Sequence, residues 1–325
     1  MTIHSARNAV PDAEPLQPAL HADRPGYFVA GAGAPVVMLH SSLSSKSQWG
    51  ALAERLASRF RVIALDLCGY GDNAVPAMGT AFTLDDEARL VTDRLDRLGE
   101  AHTRVHLVGH SYGGLVALRF AQWTSHRVAS LSLYEPVAFR LLDDKDTALV
   151  DVRRLAELVS RLAAAGHRHA AAQVFVDFWS GDGSYASLPL PVRASIVHRV
   201  DKLPLDFQAA LSWPRGPEDL RAIVAPALLL AGNRSPAVVQ RIHTVLTRAL
   251  PNRRSGSFDC GHMGPITDGH RLNPWIEAFL DARAERDAAF AAPHVVSPAS
   301  WASVAAEGVS SAAGPAAHPL RAGHQ

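Results

Sequence analysis

The chain has 325 residues, enough for one large domain or two small ones with a buried core. Its 32 basic and 31 acidic residues leave a net charge of +1, which gives no electrostatic reason to expect binding to nucleic acid or to an anionic membrane. Two cysteines are too few for a disulfide framework or a metal set, no apolar run approaches the ~20 residues of a membrane span, and the first residues lack a signal-peptide pattern. We therefore expect a soluble, cytoplasmic protein.

Both ends of the chain differ in composition from its middle. Residues 1–24 contain three prolines and scattered charges without periodicity, which predicts a mobile N-terminal arm. Residues 285–325 are rich in Ala, Pro and Ser, which predicts a disordered tail. The folded part is expected between them.

Within that folded part, short apolar runs alternate with segments of helical spacing, a pattern typical of an α/β fold with a mostly parallel sheet. The predicted strands are 27–30, 36–39, 61–65, 105–108, 128–134, 227–231 and 254–258, the last with weak strand character. The predicted helices are 51–58, 83–98, 115–121, 141–159, 162–176, 238–250 and 273–283. Residues 177–191 are predicted as a loop.

The segment 105–118 passes from an apolar, β-branched run directly into helical spacing. Between the two, Gly109-His110-Ser111-Tyr112-Gly113 matches G-x-S-x-G, a sharp strand-to-helix turn that presents a serine hydroxyl. A side chain two positions before or after the serine would collide with neighbouring backbone, which explains the glycines. The following helix directs its N-terminal amides toward the same hydroxyl. Ser111 is therefore a candidate nucleophile.

This segment resembles the nucleophile elbow of the α/β-hydrolase fold, and other motifs extend the resemblance over about residues 25–282. The resemblance implies a mostly parallel central sheet flanked by helices, formed by residues 25–139 and 216–284, with a helical cap at 140–215. Six aromatic residues of this cap are candidates for the walls of a pocket, and the alternative for each is a place in the core of the cap itself: Phe175, Phe178, Trp179, Tyr185, Phe207 and Trp213.

An oxyanion hole is the second element that the resemblance implies. In the family, the strand equivalent to 36–39 usually ends in His-Gly-x, where the amide of x is one donor; here His40 is followed by Ser41 in place of the glycine. The alignment makes the amide of Ser42 one donor and the amide of Tyr112 the other. Two such N–H groups are needed about 3 Å from the developing negative charge. The alternative is that the serine-rich loop only caps the next helix.

The family's histidine follows the last strand, at the position that His262 occupies here. We expect His262 to be the base that activates Ser111, and His110 to have a packing role. The acid departs from the usual pattern, because the usual position holds Ser235, which with Pro236 is predicted to cap the following helix.

Some family members carry the acid one strand earlier, which is Glu135 in this chain. A salt bridge at the strand end is the alternative role for Glu135. Asp143, Asp144 and Asp259 are competing candidates for the acid, and a dyad without any acid also stays open.

These residues predict a serine hydrolase that cleaves a small-molecule ester, without a cofactor or metal. Carbon–carbon bond hydrolysis and perhydrolase activity use the same residues and remain alternatives, as does a catalytically silent binding protein on this fold. Dehalogenase and epoxide hydrolase chemistry is disfavoured, because those relatives place Asp at the elbow. The sequence does not predict the oligomeric state.

Overall fold

A computed structural model describes residues 26–76, 81–213 and 216–291 of the chain. The predicted N-terminal arm and residues 292–325 of the predicted tail lie outside the described residues. The chain divides into two compact units, 1–283 and 284–325. All of the described strands lie in the first unit, and only the last turns of one helix are described in the second.

Within the described residues, seven strands form one sheet in the order β1-β3-β2-β4-β5-β6-β7, with β1 antiparallel to β3 and every other pair parallel. The strands are β1 (Tyr27–Ala30), β2 (Ala34–Leu39), β3 (Phe60–Leu65), β4 (Val105–His110), β5 (Val128–Tyr134), β6 (Ala227–Gly232) and β7 (Arg253–Phe258). The sheet is mostly parallel, as predicted. β7 lies at the edge and is largely exposed, which accounts for its weak apolar pattern.

The helices cover both faces of the sheet and form the segment between β5 and β6. They are α1 (Gly50–Leu56), α2 (Leu84–Arg97), α3 (Tyr112–Trp123), α4 (Thr147–Ala164), α5 (Arg168–Ser180), α6 (Ser184–Ser187), α7 (Leu190–Arg199), α8 (Leu203–Ser212), α9 (Ala237–Ala249), α10 (Gly264–Thr267) and α11 (Gly269–Ala291). None of the described helices is both long and apolar enough to cross a membrane.

The direction of chain connections changes between β2 and β4, which are neighbours in the sheet. From β2 the chain proceeds to β3 on one side, and then returns to β4 on the other. In open α/β sheets, ligands bind in the crevice that such a reversal leaves at the carboxyl ends of the strands. Ser42 follows β2 and Ser111 follows β4, so both lie at this crevice.

The segment 140–213, which we call the insertion, differs in detail from the prediction of two helices and a loop. It contains five helices, α4 to α8, and the predicted loop at 177–191 includes the end of α5, the whole of α6 and the start of α7. The helix α4 also continues to Ala164 before Gly166 ends it with a φ of 77°. Glycines and prolines here separate short helices, a pattern that resembles a loop in the sequence.

Two helix ends were also predicted wrongly. The helix α9 has Pro236, not Ser235, as its N-terminal cap, and the Ser235 hydroxyl has no hydrogen-bond partner among the described residues. The closing helix α11 begins at Gly269 and continues to Ala291, so that residues 285–291, expected to be disordered, are helical. Pro274 lies in the second turn of α11, close to residue 273, where the sequence predicted that this helix would begin.

Candidate active site

Ser111 lies in a strained turn between β4 and α3, with φ 54° and ψ −116°. A Cβ atom at Gly109 would lie 2.7 Å from the Gly113 carbonyl oxygen, and one at Gly113 would lie 2.3 Å from that of Leu39. Both distances are far inside van der Waals contact. Only glycine therefore allows α3 to pack this closely against β4 and the end of β2.

Ser111, His262 and Glu135 form a continuous hydrogen-bonded chain. The Oγ atom of Ser111 lies 2.9 Å from Nε2 of His262, and Nδ1 of His262 lies 2.7 Å from Oε2 of Glu135. All three side chains are buried. The order along the chain, hydroxyl to imidazole to carboxylate, is the one in which a base removes the hydroxyl proton and an acid orients the base.

Glu135 is held by two further features. Its second carboxylate oxygen accepts a 2.7 Å hydrogen bond from the backbone N–H of Gly232, at the end of β6. Its backbone has a φ of 43°. Among the described residues, Leu43, Ser111 and Glu135 are the non-glycine residues with positive φ, and all three lie at this crevice. Backbone strain concentrates at functional sites.

The competing carboxylates have other partners. Asp143 accepts a hydrogen bond from the backbone N–H of Lys145, and Asp144 is exposed between Arg140 and Arg153. Asp259 is exposed beside Arg234. Of the four candidates for the acid, Glu135 is the one that contacts His262.

Ser42 and Tyr112 line, together with Ser111, a small recess of about 20 Å³. Among the described residues, the backbone N–H of neither Ser42 nor Tyr112 has a hydrogen-bond partner. The Ser42 hydroxyl donates instead to Asp206, at 2.5 Å. The two residues with these unpaired amides thus line the recess beside the candidate nucleophile.

Residues 34–268 match a family model described as alpha/beta hydrolase fold. The chain belongs to this family. The match includes all strands from β2 onward and Ser111, Glu135 and His262. The predicted fold class and resemblance are therefore confirmed.

Curated relatives match only part of their length. A haloalkane dehalogenase of Agrobacterium fabrum is 34% identical over 128 residues, which are 39% of this chain and 40% of that protein. A soluble epoxide hydrolase of a Corynebacterium species is 39% identical over 95 residues, which are 29% of this chain and 32% of that protein. The chain thus spans two fifths or less of the length of these relatives.

Solved structures match over nearly their full length. A thermophilic esterase from Thermogutta terrifontis, solved with malate bound, has a TM-score of 0.63 and 26% identity, covering 79% of this chain and 93% of that one. An enol-lactonase from Burkholderia xenovorans has a TM-score of 0.65 and 20% identity, covering 78% of this chain and 95% of that one. At this lower identity the second comparison shows the fold alone.

A polar relay that the sequence analysis missed joins the loop after β2 to the loop that carries His262. Gln48 accepts hydrogen bonds from the N–H and the hydroxyl of Ser41 at 3.1 and 3.0 Å, and its amide nitrogen lies 3.2 Å from Nδ1 of His110. Nε2 of His110 lies 2.8 Å from the carbonyl oxygen of His262. Ser41, which replaces the family's glycine, thus has a defined structural partner.

A buried ionic cluster lies behind the loop that carries Ser42. Lys202 is fully buried and contacts Asp206 at 2.5 Å and Glu87 at 3.1 Å. Asp206 also accepts hydrogen bonds from the hydroxyls of Ser42 and Tyr70, both at 2.5 Å. The cluster therefore connects α8 of the insertion to the loop that carries Ser42, to Tyr70 and to α2, beside the crevice.

The charges of this cluster depend on each other. Burial opposes the charge on Lys202, but Asp206 and Glu87 outweigh burial and raise the pKa of the Lys202 ammonium above its usual value. Burial raises the pKa of Glu87, although Lys202 opposes that shift. Lys202 is one of three lysines among the 32 basic residues, and this rarity was the signal in the sequence that could have identified it.

A cavity of about 880 Å³ opens over Ser111 and His262, between the family core and the insertion. Of the six aromatic candidates for the pocket walls, Phe175 and Trp179 line this cavity, and Phe207 lines the small recess. The Trp179 ring also stacks on the His262 imidazole, with centroids 4.4 Å apart. Phe178, Tyr185 and Trp213 line neither space. No group of three or more His, Cys, Asp or Glu side chains among the described residues is arranged to hold a metal ion.

Proposed function

We propose that this protein is a serine hydrolase that cleaves a small-molecule ester through an acyl-enzyme on Ser111. The observation that carries the proposal is the hydrogen-bonded chain from Ser111 through His262 to Glu135. A serine hydroxyl is a poor nucleophile unless a neighbouring base accepts its proton. His262 supplies that base, and the buried carboxylate of Glu135 orients the ring and stabilises the imidazolium that forms.

The reaction has two halves. Ser111 Oγ attacks the ester carbonyl carbon while His262 Nε2 takes the hydroxyl proton, and the amides of Ser42 and Tyr112 donate to the resulting oxyanion. His262 then gives the proton to the departing alcohol, which leaves the acyl group on Ser111. In the second half, His262 removes a proton from water and the resulting hydroxide attacks the acyl carbon, after which the bond from that carbon to Ser111 Oγ breaks and His262 returns the proton to the Ser111 oxygen. The products are a carboxylic acid and the free enzyme.

The residue at the elbow favours this chemistry over that of the dehalogenase and epoxide hydrolase relatives. Those reactions begin with a carboxylate attacking a carbon atom, whereas the elbow here carries the hydroxyl of Ser111. The structurally similar esterase from Thermogutta terrifontis, at 26% identity, also favours an ester substrate. We further propose that the insertion is a cap, because its residues Phe175 and Trp179 form part of the cavity over Ser111.

Labelling with a fluorophosphonate probe tests the nucleophile, and p-nitrophenyl esters of increasing acyl length test the reaction. We expect the wild-type protein to be labelled and to hydrolyse short esters, and heat-denatured protein to remain unlabelled. Ser111→Ala should lose both labelling and hydrolysis, with a fall in turnover of about 10⁶-fold. Ser212→Ala, on an exposed surface of α8, is the matched control and should be labelled like the wild type.

Two results would contradict the proposal. A folded wild-type protein that neither reacts with the probe nor cleaves any ester is a binding protein rather than an enzyme of this type. A Ser111→Ala variant with more than roughly one-tenth of wild-type turnover would exclude Ser111 as the nucleophile, because loss of a triad nucleophile costs far more.

A further inference from the structure

The lining of the cavity over Ser111 includes a guanidinium that forms no ion pair with a carboxylate in the described part of the chain. Arg199, the last residue of α7, lines the same cavity as Ser111 and His262 and is partly buried. No carboxylate among the described residues lies within ion-pair distance of its guanidinium. The other arginine of the lining, Arg234, is exposed and lies 3.3 Å from Asp259.

Two hydrogen bonds fix the position of the Arg199 guanidinium. The Nη1 atom donates to the Ser195 hydroxyl at 2.6 Å and to the Leu43 carbonyl oxygen at 3.4 Å. Leu43 directly follows Ser42, so the guanidinium lies next to the loop that carries one of the proposed oxyanion donors. Its Nε and Nη2 atoms have no hydrogen-bond partner in the described part of the chain.

Removing a guanidinium from water is unfavourable when no anion pairs with it. Burial is the largest cause that lowers the pKa of Arg199 below its usual value, and the charges of Asp66 and Tyr70 oppose that shift without outweighing it. An arginine presents its N–H groups as a planar fork, which matches the two oxygens of a carboxylate better than any other common group. Serine hydroxyls of the same lining, such as Ser44 and Ser195, add further donors for such a ligand.

We propose that Arg199 binds a carboxylate of the substrate, and that this enzyme therefore acts on esters whose acyl or alcohol part is anionic. The part of this inference that names an ester rests on the proposed hydrolysis at Ser111. The carboxylate site itself does not depend on that proposal. A neutral ester would leave the Nε and Nη2 donors of Arg199 without an anion to pair with.

Matched pairs of substrates test both sides of the ester. On the acyl side, p-nitrophenyl hemisuccinate is compared with p-nitrophenyl butyrate, which has a methyl group in place of the carboxylate. On the alcohol side, 3-acetoxybenzoate is compared with 3-acetoxybenzamide. The readout is the ratio of kcat/KM for the anionic ester to that for its neutral partner, after spontaneous hydrolysis is subtracted.

For Arg199→Gln, we expect this ratio to fall by about 10- to 100-fold in one of the two pairs, the range for losing hydrogen bonds to a charged group. Arg199→Lys should recover part of the loss, because it keeps the charge but not the fork. Arg234→Gln removes a charge from the same lining and should leave both ratios within about twofold, since Asp259 already pairs with it. Unchanged ratios in both pairs for Arg199→Gln would overturn the proposal.

A binding measurement separates this inference from the proposed function. Titration calorimetry with succinate and with 3-hydroxybenzoate needs no turnover, and it can be performed even if the protein hydrolyses no ester. We expect one of these carboxylates to bind the wild-type protein at least about 10-fold more tightly than Arg199→Gln. Equal affinity for both proteins, or no binding to either, would exclude a carboxylate site at Arg199.

Discussion

Nε2 of His110 lies 2.8 Å from the backbone carbonyl oxygen of His262, although the two residues are 152 positions apart. A carbonyl oxygen can only accept, so this contact requires the proton on Nε2 of His110. Nδ1 must then be the acceptor for the side-chain amide of Gln48. Burial, and then the neighbouring His262, lower the pKa of His110 well below its usual value, consistent with a neutral ring in this role. His110, predicted only to pack, is thus a hydrogen-bonded link between two loops of the site.

The first prediction concerns Gln48, which joins Ser41 to His110. Gln48→Met keeps the approximate length of the side chain but removes all three of its hydrogen bonds, so the loops that carry Ser42 and His262 lose their connection. We expect kcat on a p-nitrophenyl ester to fall by about 10- to 100-fold with a small change in KM, as for other supporting residues of active sites. The rate of fluorophosphonate labelling should fall in parallel.

Gln48→Glu provides the matched control for this prediction. A carboxylate can still accept from Ser41 but cannot donate to His110, so activity should lie between those of Gln48→Met and the wild type. Equal kcat for all three proteins, with folding verified by circular dichroism, would mean that the relay has no influence on the reaction.

The second prediction concerns Lys202, which lies buried between Glu87 and Asp206. Lys202→Met fills a similar volume but leaves two buried carboxylates without a counter-ion. Breaking a buried ion pair in this way costs about 3–5 kcal/mol of the free energy of unfolding. Urea denaturation of the variant and the wild type measures the difference.

Adding Glu87→Gln to Lys202→Met should recover part of the lost stability, because it removes one of the two unpaired charges. Lys145→Met removes a lysine that lies outside the cluster, and its stability should stay within about 0.5 kcal/mol of the wild type. A Lys202→Met protein as stable as Lys145→Met would contradict a structural role for the cluster.

Features that are determined by residues close together in the sequence could be predicted, and features that depend on distant contacts could not. Strands, glycines and the elbow follow from neighbouring residues, so the sheet and the position of Ser111 were predicted correctly. Glu135 was found through the resemblance, because some members of the family carry the acid at the end of the strand that follows the elbow helix. The structure brings these three residues into contact, and their catalytic roles remain proposals.

Other features depend on contacts between distant residues and were not predicted. Gln48 and His110 are 62 positions apart, and Glu87 and Lys202 are 115 apart, so no local pattern relates them. Arg199 is distinguished by having no ion pair with a carboxylate in the part of the chain that the structure describes, which only a three-dimensional arrangement reveals. Ser235 was misassigned because a Ser-Pro pair is a typical helix start, whereas the actual helix begins one residue later.

The third prediction concerns pH and the buried His40, at the end of β2. Its Nδ1 lies 2.7 Å from the carbonyl oxygen of Ser41, and its Nε2 accepts from the N–H of Leu67, so the folded state requires a neutral ring. Burial is the largest cause that lowers the pKa of His40 from 6.5 to about 4. Above pH 6.5 the ring is neutral in both states, and its protonation has no effect on stability.

As pH falls below 6.5, the unfolded chain binds a proton at His40 and the folded chain does not, so stability decreases until about pH 4. The total loss from this residue is about 3 kcal/mol, with a slope of up to about 1.4 kcal/mol per pH unit. We expect His40→Asn, which keeps a donor near Ser41 but cannot titrate, to have a smaller slope than the wild type. Urea denaturation at several pH values between these limits provides the test, and identical slopes would contradict the assignment.

The last prediction separates Glu135 from Ser235, which occupies the usual position of the family's acid. Glu135→Gln keeps the size and shape of the side chain but removes the charge that stabilises the His262 imidazolium, so turnover should fall by about 10²- to 10⁴-fold. Ser235→Ala should leave turnover near the wild-type value, and because the Ser235 hydroxyl has no hydrogen-bond partner among the described residues, it should also cost less than the ~1 kcal/mol of a lost helix cap. Both variants are assayed side by side on one p-nitrophenyl ester, with circular dichroism to verify folding. A folded Glu135→Gln protein with near wild-type turnover would eliminate Glu135 as the acid, and Asp143, Asp144 and Asp259 would then be tested in turn.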